Sequence, residues 1–159
     1  MRLSRAHSDR QVDLALVVLR LIAGATFIAH GAQKLFVFGL DGVGAGFAQM
    51  GVPFAALAGP LVGLLEFFGG MALVLGLLTR PVALGLGFTM IGAIWFVHLP
   101  NGFFLPNGVE FVLALLGIAI ALVLTGAGSY SVDARLATRG VARAPALPAP
   151  HAVKDRKAA

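Results

Sequence analysis

The chain contains no cysteine. That absence excludes a disulfide framework, thiol redox chemistry in this chain, and Cys-ligated metal or iron–sulfur centres. Charge is almost as scarce. Only 12% of the 159 residues are Asp, Glu, Lys or Arg, against roughly 25% in an ordinary soluble domain. Between residues 14 and 128 the charged residues are Arg20, Lys34, Asp41, Glu66, Arg80 and Glu110, which sum to zero, so the net +5 resides in the tails. Lys and Arg are missing from 39–53 and from 99–108. There is no Gly-rich phosphate loop, nucleophile elbow or zinc motif. Twin-arginine and lipidation signals are also lacking, as is an internal repeat of fixed period.

What fills the chain is apolar sequence, 58% of all residues. Four runs stand out, at about 13–38, 54–78, 81–98 and 109–124, the last two near the minimum length of a span. They predict an all-α fold, a four-helix transmembrane bundle occupying residues 13–128. A short N-terminal tail (1–12) precedes it, and a basic C-terminal tail (129–159) follows. The start MRLSRAHSDR leads into a run that is too long for a signal h-region and includes Arg20 and Lys34. It reads as a retained anchor helix. Pro81 suits the first turn of a helix, and Leu99-Pro100-Asn101-Gly102 is a stop and turn.

Orientation follows from the basic residues. Arg2, Arg5 and Arg10 precede the first run, Arg80 lies between the second and third, and Arg135, Arg139 and Arg143 follow the fourth. The positive-inside rule then places both termini in the cytoplasm, with four crossings of the cell (inner) membrane. Basic tails can serve nucleic acid, but tails beside apolar spans mark the cytoplasmic face and its anionic lipid. No nucleic-acid partner is expected. In the 39–53 loop, Val43, Phe47 and Met50 recur every three to four residues and predict a short interfacial helical turn. Residues 129–139 predict a brief amphipathic helix, and the Pro/Ala/basic segment after Gly140 predicts disorder.

Glycines recur seven apart in three of the runs, at Gly24/Gly31, Gly63/Gly70 and Gly85/Gly92. Such stripes let helices approach closely in lipid. Gly63 and Gly70 flank Glu66 at minus three and plus four, which turns its carboxylate toward protein.

Glu66 lies twelve residues from either end of its run, at the most costly depth for a charge. Counted from the inner surface, Arg20 falls at roughly 9 Å, Glu66 at about 18 Å, and His30, His98 and Glu110 near 24–25 Å, with Lys34 one turn above His30. Side chains lean toward the N-terminus of their helix, so Glu66 leans outward while Arg20, His30 and His98 lean inward. The candidate polar site is therefore Glu66, His30, His98, Glu110, Lys34 and Arg20. Simpler roles compete: Arg20 snorkelling to the inner interface, Lys34 and Glu110 as interfacial anchors, His98 as a helix-end hydrogen-bonding group. Trp95, Phe103 and Phe104 read as an outer aromatic belt.

Histidines beside carboxylates suit proton-coupled quinone chemistry. Haem or metal ligation is disfavoured, because His30 and His98 are isolated and no E-x-x-H or i,i+4 His pair exists. A quinone is thus the cofactor class that fits, with no metal.

The strings LRLIAGATFIAHGAQKLF, Phe47…Gly51-Val52-Pro53, LLEFFGGMALVLGLLTRP, HLPNGFFLPNGVEF and GAGSYSVD, in that order over about 12–134, resemble the DoxX family of small bacterial membrane proteins. The resemblance places family polar positions on Arg20, His30, Gly31, Lys34, Glu66, His98, Gly102, Glu110 and Asp133. It implies a membrane subunit or accessory of a redox, quinone-linked or oxidative-stress system. The family takes its name from a thiosulfate:quinone oxidoreductase subunit, and other members are tied to quinone and catechol detoxification. A soluble redox partner at the cytoplasmic face belongs to that expectation. Two other readings stay open: a non-enzymatic scaffold that holds a soluble partner through its basic tail, and a small proton-linked transporter using Glu66.

Overall fold

The computed structural model describes residues 2–143. Those residues form helices joined by turns and short loops, with no strand among them. Helix α1 spans Arg2–Ala32 and continues as a π-helical segment, Gln33–Phe38. Gly39, at φ 72° and ψ 162°, then turns the chain into α2, Gly39–Gln49. Next come α3 (Ala55–Leu75) and α4 (Thr79–Ala93), and α4 also ends in a π-helical segment, Ile94–His98. A 3₁₀ turn at Leu99–Asn101 and a compact loop lead to α5 (Glu110–Thr125), and α6 covers Val132–Arg143. The disorder expected beyond Gly140 falls largely outside the described residues.

Three helical stretches, Asp9–Gln49, Ala55–Leu75 and Thr79–Asn101, are long and apolar enough to cross a membrane. The fourth, Glu110–Thr125, is shorter. The expected ends at 38 and 98 coincide with the ends of the two π segments, whereas α1 starts well before residue 13. Pro81 lies in the first turn of α4, as its missing N–H favours.

Backbone approach between α1 and α3 organises the bundle. A Cβ at Gly70 would lie 2.7 Å from the carbonyl of Gly24 and 2.8 Å from the nitrogen of Ile28, and a Cβ at Gly31 would run into the Phe67 backbone. The two helices are antiparallel, in a register that opposes Gly24 to Gly70 and Lys34 to Gly63. Two of the three glycine pairs therefore do what their spacing predicts. The third does not: Gly85 meets the Leu65 side chain, and Gly92 faces open space.

Helix α2 exceeds the short turn expected of 39–53. Its four glycines are poor helix formers, but Val43 and Gly44 are buried. A Cβ on Gly59 of α3 would sit 3.0 Å from Gly44, so the two backbones nearly touch. Packing supplies what propensity lacks. The core joins Leu16, Ala23 and Phe27 of α1 to Leu73 of α3, Leu86 and Met90 of α4, and Leu115 and Leu122 of α5. Trp95, Phe103 and Phe104 are all exposed at one end, as an aromatic belt requires.

Gly70→Leu is expected to destabilise the protein by at least about 1–3 kcal/mol, because the added atoms meet backbone that cannot yield. Gly117→Ala, whose Cβ meets nothing within 4 Å, is the control. Thermal melts in detergent should show a lowered midpoint for the first and an unchanged one for the second.

Candidate functional site

The polar residues separate into two clusters at opposite ends of the bundle. At the end bearing the 99–108 loop, Lys34 and Glu66 form an ion pair, Nζ donating to Oε2 at 2.6 Å. The side chains are 19% and 5% exposed. Lys34 lies on the first π segment, one face from α3, and a Cβ at Gly63 would be only 3.3 Å from the Cβ of Lys34. The absent side chain at Gly63 is what lets the lysine reach Glu66. Glu66 Oε1 accepts no hydrogen bond from the described residues.

This pair borders a cavity of about 760 Å³ between α1, α3, α4 and α5, with α2 and the 99–108 loop over it. His30, Lys34, Glu66, Thr89 and His98 are its polar lining, and the rest is apolar or glycine. Thr89 is occupied locally, its Oγ1 donating to the Leu86 carbonyl at 2.7 Å. His30 is exposed and stands 6.4 Å, ring to ring, from Phe111 on α5. His98 places Nδ1 2.7 Å from the carbonyl oxygen of Asn107. Lys34 and His98 both lie on π turns, and in each case the extra residue re-aims the helix face next to the cavity.

Glu110 does not join this group. Its Oε1 accepts the backbone N–H of Leu105 at 2.6 Å, and its own N–H donates to Phe103 O at 3.0 Å. It shapes the loop instead of facing the cavity. The layer expected of His30, His98 and Glu110 is thus a layer of His30, Lys34, Glu66 and His98.

Arg20 belongs to the opposite end. It is buried, 2% exposed, and Nη2 donates to the Tyr130 carbonyl at 2.7 Å, while Nε and Nη1 have no partner among the described residues. Around it, the 126–133 segment forms a strap. Asp133 accepts from the nitrogens of Leu78 and Thr79 at 2.8 and 3.0 Å, capping α4, and its own N–H donates to Gly76 O at 2.9 Å. Asp13 accepts from Ser129 N at 2.9 Å. Arg20 therefore does not snorkel; its work is to hold the strap.

The residues alone leave Lys34 as an interfacial anchor above His30 and assign Glu66 no partner, so the ion pair was not foreseen. A signal was present. Glycine stripes lie beside both residues, and with Gly31 against Phe67 and Gly63 against Lys34 the antiparallel register puts Lys34 one turn from Glu66. Lys34 then leans toward the carboxylate and the carboxylate toward it. Among the described residues no three His, Asp or Glu side chains gather at metal-binding range.

A bundle of long apolar helices with an ion-paired cavity at one end is a polytopic membrane protein. The DoxX family model matches residues 15–99. Inner membrane protein YqjF of Escherichia coli (strain K12) is 38% identical over 125 residues, covering 76% of this chain and 91% of that protein. Uncharacterized membrane protein Rv3486 of Mycobacterium tuberculosis is 34% identical over 140 residues, 80% and 85% of the two chains. "Putative oxidoreductase CatD" of Bacillus subtilis is 31% identical over 125 residues, 79% and 89% of the two. The chain belongs to the DoxX family. No solved structure matches it.

Removing one member of the buried pair should cost more than removing both. Lys34→Met is expected to destabilise by about 3–5 kcal/mol by stranding the Glu66 charge, while Lys34→Met with Glu66→Leu recovers most of that loss. A double-mutant cycle by thermal denaturation in detergent measures the coupling.

Proposed function

We propose that this protein crosses the cell inner membrane four times, with both termini in the cytoplasm. We further propose that it serves as a membrane subunit or accessory of a redox system and binds a quinone-like molecule in the cavity beside Lys34 and Glu66. The observation that carries the reading is the cavity itself. At about 760 Å³ it falls in the range of roughly 300–1,000 Å³ typical of small-molecule sites. Its walls are apolar, as a lipid-soluble ring requires, and its few polar groups are of the kinds that hold ring oxygens and relay protons. Lys34 uses one N–H on Glu66, which leaves two for a ligand oxygen. Two relatives' names support parts of this reading: YqjF is named an inner membrane protein, and CatD a "putative oxidoreductase".

Four crossings follow from the charge pattern together with α5. Its sixteen residues rise about 24 Å, and the flanking residues Val109 and Gly126 extend it toward the bilayer core thickness of about 30 Å. Arg80 Nη2 donates to Leu124 O at 3.3 Å, so the α4 start and the α5 end lie on the same side.

Binding is testable by calorimetric titration of a short-chain ubiquinone into nanodiscs carrying the protein, with empty nanodiscs subtracted. Gly92→Leu puts a side chain into cavity space that holds no atom within 4 Å, and Glu66→Gln with His30→Ala removes one negative charge and one imidazole. Each should weaken binding by about tenfold or more, roughly a lost hydrogen bond or a lost ligand volume. Unchanged affinity in both would reject the site.

Topology is testable because the chain is cysteine-free. An impermeant maleimide should label Phe104→Cys in intact cells and Leu136→Cys only after permeabilisation. The reverse pattern would invert the orientation.

A further inference from the structure

Resting on the cavity reading above, we infer that His98 makes this site select the reduced, dihydroxy form of its ring ligand over the dione. A carbonyl oxygen has no hydrogen to give. At 2.7 Å from Asn107 O, His98 Nδ1 must therefore carry the proton, and in the neutral imidazole Nε2 is then a lone-pair acceptor. Nε2 has no protein partner among the described residues, and His98 lines the cavity. Lys34, which lines the same cavity from the π segment that follows α1, has only N–H groups to offer.

The cavity thus presents an acceptor on α4 and a donor on α1. A ring hydroxyl donates to the first, and a ring oxygen accepts from the second. A dione has acceptors alone, so it satisfies Lys34 and sets its other oxygen lone pair to lone pair against Nε2. Dihydroxyaromatics satisfy both ends.

The loop keeps that tautomer in place. Val109 N donates to Gly102 O at 3.0 Å and Glu110 N to Phe103 O at 3.0 Å, closing the loop on which Asn107 stands. The Glu110 carboxylate holds Leu105 N from below. Glu110 is in this respect a positioning residue for His98. A tenfold preference for the reduced form raises the two-electron potential of the bound couple by about 30 mV.

The test compares three ligands by anaerobic calorimetric titration into nanodiscs: trimethylhydroquinone, its quinone, and its dimethyl ether. The wild-type protein should bind the hydroquinone about tenfold more tightly than either of the others, the worth of one hydrogen bond. His98→Phe should reduce that ratio to below about twofold by weakening the hydroquinone alone, with a melting curve to verify the fold. If His98→Phe does not fold, ¹⁵N NMR of histidine-labelled wild-type protein decides. An unprotonated Nε2 signal, assigned by its loss in His98→Gln, should shift with hydroquinone and stay put with the dimethyl ether. Equal binding of hydroquinone and quinone, selectivity that survives in His98→Phe, or a protonated Nε2 would overturn the inference while leaving the cavity reading intact. Absence of binding by all three ligands would overturn both.

Discussion

The Lys34–Glu66 pair constrains the molecule more than any other contact. Two opposite charges in an apolar bundle are tolerable only at hydrogen-bonding distance, because the medium that strengthens their attraction also makes either one alone prohibitive. Holding them at 2.6 Å requires that α1 and α3 approach almost backbone to backbone. Gly24, Gly31, Gly63 and Gly70 supply that approach, and the α1–α3 face carries no large side chain at those points. With that interface used up by glycine, the larger apolar residues gather where α4 and α5 close the bundle. The cavity is what remains between the tightly joined pair and its bulkier neighbours.

Separating the polar residues into two clusters also separates their tasks. At the 126–133 end, Arg20, Asp13 and Asp133 all bond backbone groups of the strap or of the α4 start, and although Arg20 Nε and Nη1 stay unpaired among the described residues, they are sealed in the fold away from the cavity. At the other end, Lys34 and Glu66 bond each other, and His30 has no hydrogen-bond partner among the described residues. Polar capacity left unspent next to open volume marks the second cluster, and not the first, as the place for a ligand.

Much of this was legible from residues alone. Glycine spacing announced the α1–α3 contact, Pro81 and Gly102 marked helix ends, and the depth of Glu66 required a protein-facing carboxylate. What could not be read was direction within a helix turn. Both Lys34 and His98 sit on π segments, whose extra residue per turn shifts the side-chain face away from a 3.6-residue projection. Lys34 therefore looked like an interfacial anchor one turn too high. Glu110 failed for a different reason: its carboxylate serves an N–H five residues earlier in an irregular loop, a contact with no periodicity to reveal it. Helix α2 was underestimated because propensity counted its glycines as a cost, when their value is to let α2 lie flush on α3.

One consequence follows from how α4 is fastened. Its N-terminal end is capped by Asp133, from beyond α5, and its far end is tethered through His98 to Asn107. An axial slide by even one turn would break both attachments. The wall of the cavity that α4 forms is therefore set in height, like a mullion in a window frame. The remaining cover comes from the α2 end and the 99–108 loop, where Phe47, Met50 and Leu105 form an apolar sash with no such fastening to α4 among the described residues.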